Sequence, residues 1–453
     1  MTQNLNRREF LRTGAVAGAA VALNSVVGSR IEAQEQKGKG HPPASRKPME
    51  KVRIGFVGVG GQGTSHVENL LKIKGAEIVA VSDIIESRVR RAQEMVVKTG
   101  QPKPEGFSND VLDFKRMCQR NDIDLIFNAT PWEWHVPICL EAMKTGKHAA
   151  TEVPAAYTIE DCWKLVDASE RSGKYCVMME NCNYDKPEMM ILNIVKQNLL
   201  GELLFAECGY LHDLRDVKND LNGEGIWRRS HAMKRNGDLY PTHGLGPIAQ
   251  CFDINRGNYF DYLVSFGTKT CGLHLYAVEQ FGADSPQAKE TFALSDIVTT
   301  MIHTKNGETI VVKHDTNSPR PYSRDILVQG TKGIVRKYPD ARIYVEGKGK
   351  PHQWDLVDNW MKNYNHPVWG QMEEESKGAG HGGMDFIEDY RLINALLKGE
   401  EPDMDVYDAA AISAVCELSA RSIASKGAPQ TFPDFTRGMW KTPRSLQVMN
   451  VKA

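Results

Sequence analysis

The chain has 453 residues, enough for two or three domains, each with a core of its own. Its 56 basic and 57 acidic side chains nearly cancel, which excludes a nucleic-acid binder held by a basic face. A hydrophobic share of 41% is that of an ordinary globular protein.

The N-terminus, "NRREFLRTGAVAGAAVALNSVVG", carries Arg7 and Arg8, then Phe10 and Leu11, then a weakly apolar run of Ala, Gly and Val. This is the pattern of a twin-arginine export signal, expected over residues 1–33 with cleavage near Ala33. A membrane anchor is the competing reading. The short run, Asn24 within it and the polar residues after it disfavour a spanning helix. The twin-arginine machinery is then a partner, and the mature chain is periplasmic or secreted. That route carries proteins already folded, which suits a tightly held organic cofactor. Residues 34–50 are polar, with Gly and Pro, and read as a linker. Nine cysteines are scattered without a C-x-x-C pair and are expected to act as small buried hydrophobes. No H-E-x-x-H or similar cluster points to a metal.

Residues 51–183 alternate strands and helices. "VRIGFVGVG" is a strand, Thr64 to Ile73 has helical spacing, "AEIVAVSD" is a strand and "ESRVRRAQEMVVKTG" a helix. "DIDLIFNATP", "GKHAATEVP" and "KYCVMMENC" are further strands, with helices "WHVPICLEAMKTG" and "TIEDCWKLVDASERSG" between them. The alternation predicts a doubly wound parallel sheet, a Rossmann domain. Residues 184–453 read differently. A helix and "GELLFAECGYLHD" lead to the alternating runs "YFDYLVSFGTK", "DIVTTMIHTKNGETIVVKHDT", "DILVQGTKGIVRKY" and "ARIYVEG". Asn306-Gly307 marks a hairpin. The fold class expected is α/β: the Rossmann domain, then an α/β domain with a largely antiparallel open sheet and C-terminal helices. Open sheets of this kind often pack on another subunit, so a homo-dimer is expected.

"GVGGQG" sets Gly58, Gly60 and Gly63 in G-x-G-x-x-G spacing between strand and helix, with Gly61 and Gln62 inside the turn. Glycines there allow a tight turn and close approach of the backbone to a pyrophosphate. Asp83 ends the next strand, twenty residues after Gly63, where a carboxylate binds ribose hydroxyls and repels a 2′-phosphate. The cofactor expected is NAD. Asn128, at the carboxyl end of the third strand, is expected to pass under the cofactor and contact it. Trp132, Trp134 and His135 follow, either lining the cofactor or capping a hydrophobic edge.

This succession, continued by "E-x-P" at Glu152 to Pro154, is similar to the glucose–fructose oxidoreductase and inositol dehydrogenase family over residues 51 to about 350. That family's E-K-P lysine is replaced by Val153, and its aspartate–histidine spacing is matched by Asp238 and His243. A narrower resemblance spans nearly the whole chain. The leader, "TEVP", "MMENCNY", "GDLYPTHGLGPIAQCFDINRG" and "HGGMDF" resemble glycoside hydrolase family 109. The resemblance implies an NAD-dependent α-N-acetylgalactosaminidase. It implies oxidation at carbon 3 of the sugar, loss of the carbon 2 proton, elimination of the glycosidic oxygen, addition of water and reduction, with NAD regenerated.

His243, in the first turn of a helix capped by Thr242, is the first candidate for the base. Tyr184 is the alternative, and Glu152 can act on a sugar hydroxyl or only orient the cofactor. Asn181 and Val153 end strands beside the nicotinamide. Tyr240 and Tyr322 are read as orienting the sugar or relaying protons, Thr242 as a substrate contact, and the resemblance adds Tyr210 and Arg228. His381 is read as part of a glycine-rich turn beside the second domain, with reach into the site as the alternative. Competing functions are an exported NAD(P)-dependent sugar oxidoreductase and a sugar-binding protein with structural NAD. The substrate is a glycan or small sugar, and no nucleic-acid partner is expected.

Overall fold

The computed structural model describes residues 47–451 other than residue 224. The signal segment and most of the linker lie outside the described residues. No helix among the described residues is long and apolar enough to cross a membrane.

The first sheet has six parallel strands: β1 (Val52–Val57), β2 (Ala76–Ser82), β3 (Glu105–Phe107), β4 (Leu125–Asn128), β5 (His148–Thr151) and β6 (Cys176–Met178). Their order is β3-β2-β1-β4-β5-β6. β1 and β4 are apolar on both faces because helices cover both sides of the sheet. The strand order reverses between β1 and β4, so a crevice opens beyond their carboxyl ends. Helices α1 (Gly61–Leu70), α2 (His135–Lys144) and α3 (Ile159–Ser172) follow β1, β4 and β5. Thr158 caps α3 by accepting from the Asp161 amide at 3.1 Å, and Gly173 ends it at φ 61°. α1 starts at Gly61 rather than Thr64, because the glycine turn itself enters the helix. The three-residue edge strand β3 is too short and too exposed to show a sequence period.

The second sheet holds β7 (Leu203–Leu211), β8 (Phe260–Gly267), β9 (Ile297–Thr304), β10 (Thr309–Asp315), β11 (Leu327–Gly330), β12 (Gly333–Arg336), β13 (Arg342–Val345), β14 (Asp355–Leu356) and β15 (Gln430–Thr431). Its order is β14-β13-β12-β11-β7-β10-β9-β8-β15, antiparallel except for the β7–β10 pair. The β9–β10 hairpin turns through Asn306-Gly307, with Gly307 at φ 102°. One face packs against helices α5 (Thr242–Cys251) and α8 (Val415–Ala424), which follow α4 (Ile226–Lys234) in the chain. α6 (Met384–Lys398) and α7 (Val406–Ser413) pack on α1 and α3 of the first sheet's layer. The C-terminal helices therefore reach back to the nucleotide-binding half. All nine cysteines are free thiols. Eight are buried, as expected of small hydrophobes, and Cys271 is half-buried.

Candidate active site

A cavity of about 430 Å³ opens at the carboxyl ends of β1, β2, β4 and β5 and continues to residues of α4, α5 and β7. Its nucleotide end is made by backbone. Gly58 sits at φ +85°, and a Cβ there would lie 2.7 Å from the Ala129 carbonyl oxygen. A Cβ on Gly63 would lie 1.9 Å from the Gly58 carbonyl oxygen, so this turn exists only with glycine. Gly58, Gly60, Gly61 and Gln62 line the cavity; Gly63 instead packs the turn against itself. No side chain caps α1, whose N-terminus faces the cavity through Gly61 and Gln62. Asp83 accepts from the Val59 amide at 3.0 Å and the Ile85 amide at 2.9 Å, which fixes its carboxylate at the end of β2. The turn, the positive helix end and the carboxylate fit the pyrophosphate and ribose of a dinucleotide.

The next strands brace this wall. Asn128 does not line the cavity. Its Oδ1 accepts from the Thr130 hydroxyl at 2.6 Å and its Nδ2 donates to the Thr151 hydroxyl at 3.2 Å, tying the ends of β4 and β5 together. Buried His135 is wedged between the carbonyls of Pro154 (2.7 Å) and Thr130 (2.8 Å). Trp132, Trp134, Val153 and Asn181 line the cavity. Val153 is 2% exposed and places an apolar group where the wider family has a lysine.

The end away from the glycine turn is aromatic. Tyr210, Arg228, Tyr240 and His243 line it together with Trp132 and Trp227. The Arg228 guanidinium lies 4.5 Å from the Trp227 ring centre, 5.2 Å from Tyr240 and 5.3 Å from Trp132. Trp227 was not singled out in the sequence, although it directly precedes Arg228. His243 Nδ1 is 2.7 Å from Oε1 of Glu180, a buried carboxylate after β6 that also accepts from the Cys182 amide at 3.1 Å. The bond fixes the proton on Nδ1, and Nε2 has no hydrogen-bond partner among the described residues. Glu180 was overlooked in the sequence; its place in "MMENCNY", beside Asn181, was the available signal.

Glu152 lines the cavity with Oε1 at 2.7 Å from His66 Nε2. Burial pushes its carboxyl up, and His66 more than reverses this, holding it below the usual range. His381, in the glycine-rich turn Gly380–Gly383, also lines the cavity, which favours the reading in which it reaches the site. Its Nδ1 is 2.8 Å from Asp385, whose other oxygen accepts from Asn181 Nδ2 at 2.7 Å. Burial pushes Asp385 up, but His381 and its neighbours bring it down to about 2.

Three expectations are not met in place. The Tyr184 hydroxyl donates to Asp403 at 3.1 Å in a buried spot off the cavity, which removes it as the alternative base. Thr242 is the first helical residue of α5 and not its cap, which is Pro241; its hydroxyl is buried and has no hydrogen-bond partner among the described residues. Tyr322 stands at the rim, with its ring centre 6.3 Å from that of Tyr210 and 5.0 Å from that of His212. Asp238 does not contact His243. It accepts from the Tyr240 amide at 3.1 Å, and burial lifts its carboxyl to about 7. The unfolded carboxyl ionises near pH 4, whereas the folded one stays protonated until about pH 7, so its ionisation opposes folding across that window. Asp238→Asn is therefore expected to gain stability over the wild type by about 4 kcal/mol as pH rises from 4 to 7, and no more above it. Denaturant melts at a series of pH values check this.

Glu180, Cys182 and His243 bring three metal-ligand atoms within 4.8 Å of one another, a grouping not expected from the sequence. The Arg324 guanidinium, 3.1 Å from Cys182 Sγ, opposes a cation there.

A dinucleotide cradle and a histidine–carboxylate couple sharing one cavity mark a nucleotide-dependent enzyme. Residues 52–180 match the "Oxidoreductase family, NAD-binding Rossmann fold", and residues 184–442 match "Glycosyl hydrolase 109, C-terminal domain". The chain belongs to glycosyl hydrolase family 109 and is a glycoside hydrolase. It is 43% identical over 457 residues to a family 109 protein of Shewanella baltica, covering 98% of this chain and 99% of that one. It is 42% identical, with the same coverage, to an α-N-acetylgalactosaminidase of Shewanella oneidensis. In fold it is similar to a levoglucosan dehydrogenase solved with NADH and levoglucosan (TM-score 0.67, 18% identity, 84% of this chain and 100% of that one). It is also similar to a Lactobacillus casei scyllo-inositol dehydrogenase with NAD(H) and scyllo-inositol (TM-score 0.60, 14% identity, 84% and 99%). Residues 4–23 match a twin-arginine translocation signal, so the protein is exported, periplasmic or secreted.

Proposed function

We propose that this glycosidase releases terminal α-linked N-acetylgalactosamine through a transient oxidation of the sugar. When bound, a nicotinamide dinucleotide supplies reversible oxidation at carbon 3, and the carbonyl so formed acidifies the carbon 2 proton. His243 takes that proton on Nε2, and Glu180 stabilises the resulting imidazolium through Nδ1. The electron pair left behind forms the carbon 1–carbon 2 double bond and expels the glycosidic oxygen, which takes up a proton from solvent; the water that later adds at carbon 1 gives a proton back to solvent. When water adds at carbon 1, His243 returns a proton to carbon 2. Arg228 and the rings of Trp132, Trp227 and Tyr240 hold the sugar, Tyr210 borders it and Tyr322 guards the entrance. Gly58, Gly60, Gly61 and Gln62 hold the pyrophosphate. Asp83 holds the ribose hydroxyls, and its charge supports NAD over NADP.

The observation that carries the reading is the His243–Glu180 couple opening on the dinucleotide cavity, with apolar Val153 at the lysine position. The test is a panel of chromogenic glycosides given to purified protein without added cofactor. Release from the α-N-acetylgalactosaminide alone supports it; release only from other sugars rejects the substrate.

A homo-dimer through the open sheet belongs to the same reading. Phe266, Met301 and Tyr262 are 62%, 48% and 38% exposed on adjacent strands β8 and β9. A stripe of that kind suits a second copy of the chain. Phe266→Lys with Met301→Lys is expected to shift the sedimentation coefficient from dimer to monomer, with glycoside cleavage retained.

A further inference from the structure

The site holds a second histidine between carboxylates, distinct from His243. His66 of α1 is fully buried. Its Nε2 lies 2.7 Å from Glu152 Oε1, and its Nδ1 lies 2.9 Å from both oxygens of Asp389 on α6. Asn69 Nδ2 donates to Asp389 Oδ2 at 3.1 Å and fixes that carboxylate. Only Glu152 of the three lines the cavity. The oxidation–elimination cycle moves two different protons, from the carbon 3 hydroxyl and from carbon 2, and His243 accounts for the second. The position where the wider family carries a proton-moving lysine is Val153, so the first has no acceptor in that place.

Resting on the cycle above, we propose that Glu152, backed by His66 and Asp389, is a proton store: it takes the carbon 3 hydroxyl proton during oxidation and returns it during reduction. Carbon 3 gives up its hydrogen with the electron pair of that bond to the dinucleotide. The O–H bond breaks, its electron pair becomes the second carbonyl bond, and its proton bonds to a Glu152 oxygen. The return step reverses each change, so the store gains one proton and loses one. Glu152 is the catalytic residue; His66 and Asp389 are positioning residues.

The charges suit this. Burial pulls His66 down, but Asp389 and Glu152 raise it well above the usual histidine range, which favours an imidazolium between the two acids, although burial in turn raises Asp389. The resting triad carries one net negative charge, which an added proton cancels in a buried place. Other groups face it. From α6, Glu388 is buried with neither oxygen partnered among the described residues, and burial raises its carboxyl well above the usual range, which favours its neutral form. Asp385, also on α6, is paired with His381, and Gln62 Nε2 on α1 lies 3.3 Å from His66 Nε2.

The test uses the NAD-loaded protein, the methyl α-glycoside of N-acetylgalactosamine and two variants, His66→Gln and Asp389→Asn. Rapid mixing reads carbon 3 oxidation from the near-ultraviolet absorbance of the reduced nicotinamide. Both variants are expected to oxidise about 10²-fold slower. Without the imidazolium, buried Glu152 shifts up, so the acid limb of the oxidation rate moves to higher pH in His66→Gln. Exchange of the carbon 2 hydrogen of a synthetic 3-keto sugar, which needs only His243, is expected to stay at the wild-type rate. Wild-type oxidation rate and pH profile in both variants would overturn the store, as would an equal loss of exchange, which marks a merely structural role. If neither variant folds, nitrogen-15 NMR of His66 in the wild type decides: an imidazolium at neutral pH upholds the store and a neutral ring overturns it. Failure of the wild type to exchange the carbon 2 hydrogen rejects the elimination cycle instead, and leaves the oxidation readout to judge the store separately.

Discussion

His243→Ala is expected to slow glycoside release by about 10³-fold while NAD remains bound. The cavity offers one unpartnered imidazole nitrogen at its sugar end, and the carbon 2 proton needs a base there. The backbone turn that holds the pyrophosphate belongs to β1 and α1, away from α5, so cofactor retention is unaffected. Glu180→Gln is expected to cost less, about 10²-fold, because the imidazole survives but loses the negative charge that supports its protonated form. Release assays on both variants, with bound cofactor measured after denaturation, check the pair. Undiminished turnover in His243→Ala would remove this residue from the mechanism.

Gly63→Ala is expected to strip the protein of cofactor altogether. The added Cβ would lie 1.9 Å from the Gly58 carbonyl oxygen, a contact with backbone that no side-chain rotation relieves. The turn must open, and with it goes the close packing of α1 against β1 on which the pyrophosphate cradle depends. The protein should purify without bound NAD and melt at lower temperature. Gly370, which has open space around its Cβ position and lies in the helix Pro367–Met372, is the control. Gly370→Ala should bind cofactor normally and melt slightly higher, since alanine is the better helix former by roughly 1 kcal/mol. Absorbance of the purified proteins and thermal melts read both outcomes.

Much of the first half was legible because its signals are local. The glycine turn, the apolar strands and Asp83 each declare themselves within a short window, and the Asn306-Gly307 hairpin does the same in the second sheet. What escaped depends on contacts distant in sequence. His243 meets Glu180 across 63 residues, Glu152 meets His66 across 86, and His66 meets Asp389 across 323. No periodicity records that α6 returns from the far end of the chain to pack on α1. Tyr184 shows the converse error. It follows Asn181 closely in sequence, yet its short 3-10 turn aims the ring at Asp403 and away from the cavity. His381 was underrated because glycines flank it. It holds φ +49°, and that left-handed turn lets its ring reach Asp385 at the cavity wall.

The central claim is that glycoside cleavage runs through loss and return of the carbon 2 proton, with no net consumption of cofactor. The most direct measurement is cleavage of a chromogenic α-N-acetylgalactosaminide in deuterated buffer by protein carrying only its own bound NAD, followed by NMR of the released sugar. The account predicts deuterium at carbon 2, protium at carbon 3 and no lasting reduced nicotinamide. Released sugar with protium at carbon 2, at the same rate of cleavage, would contradict it.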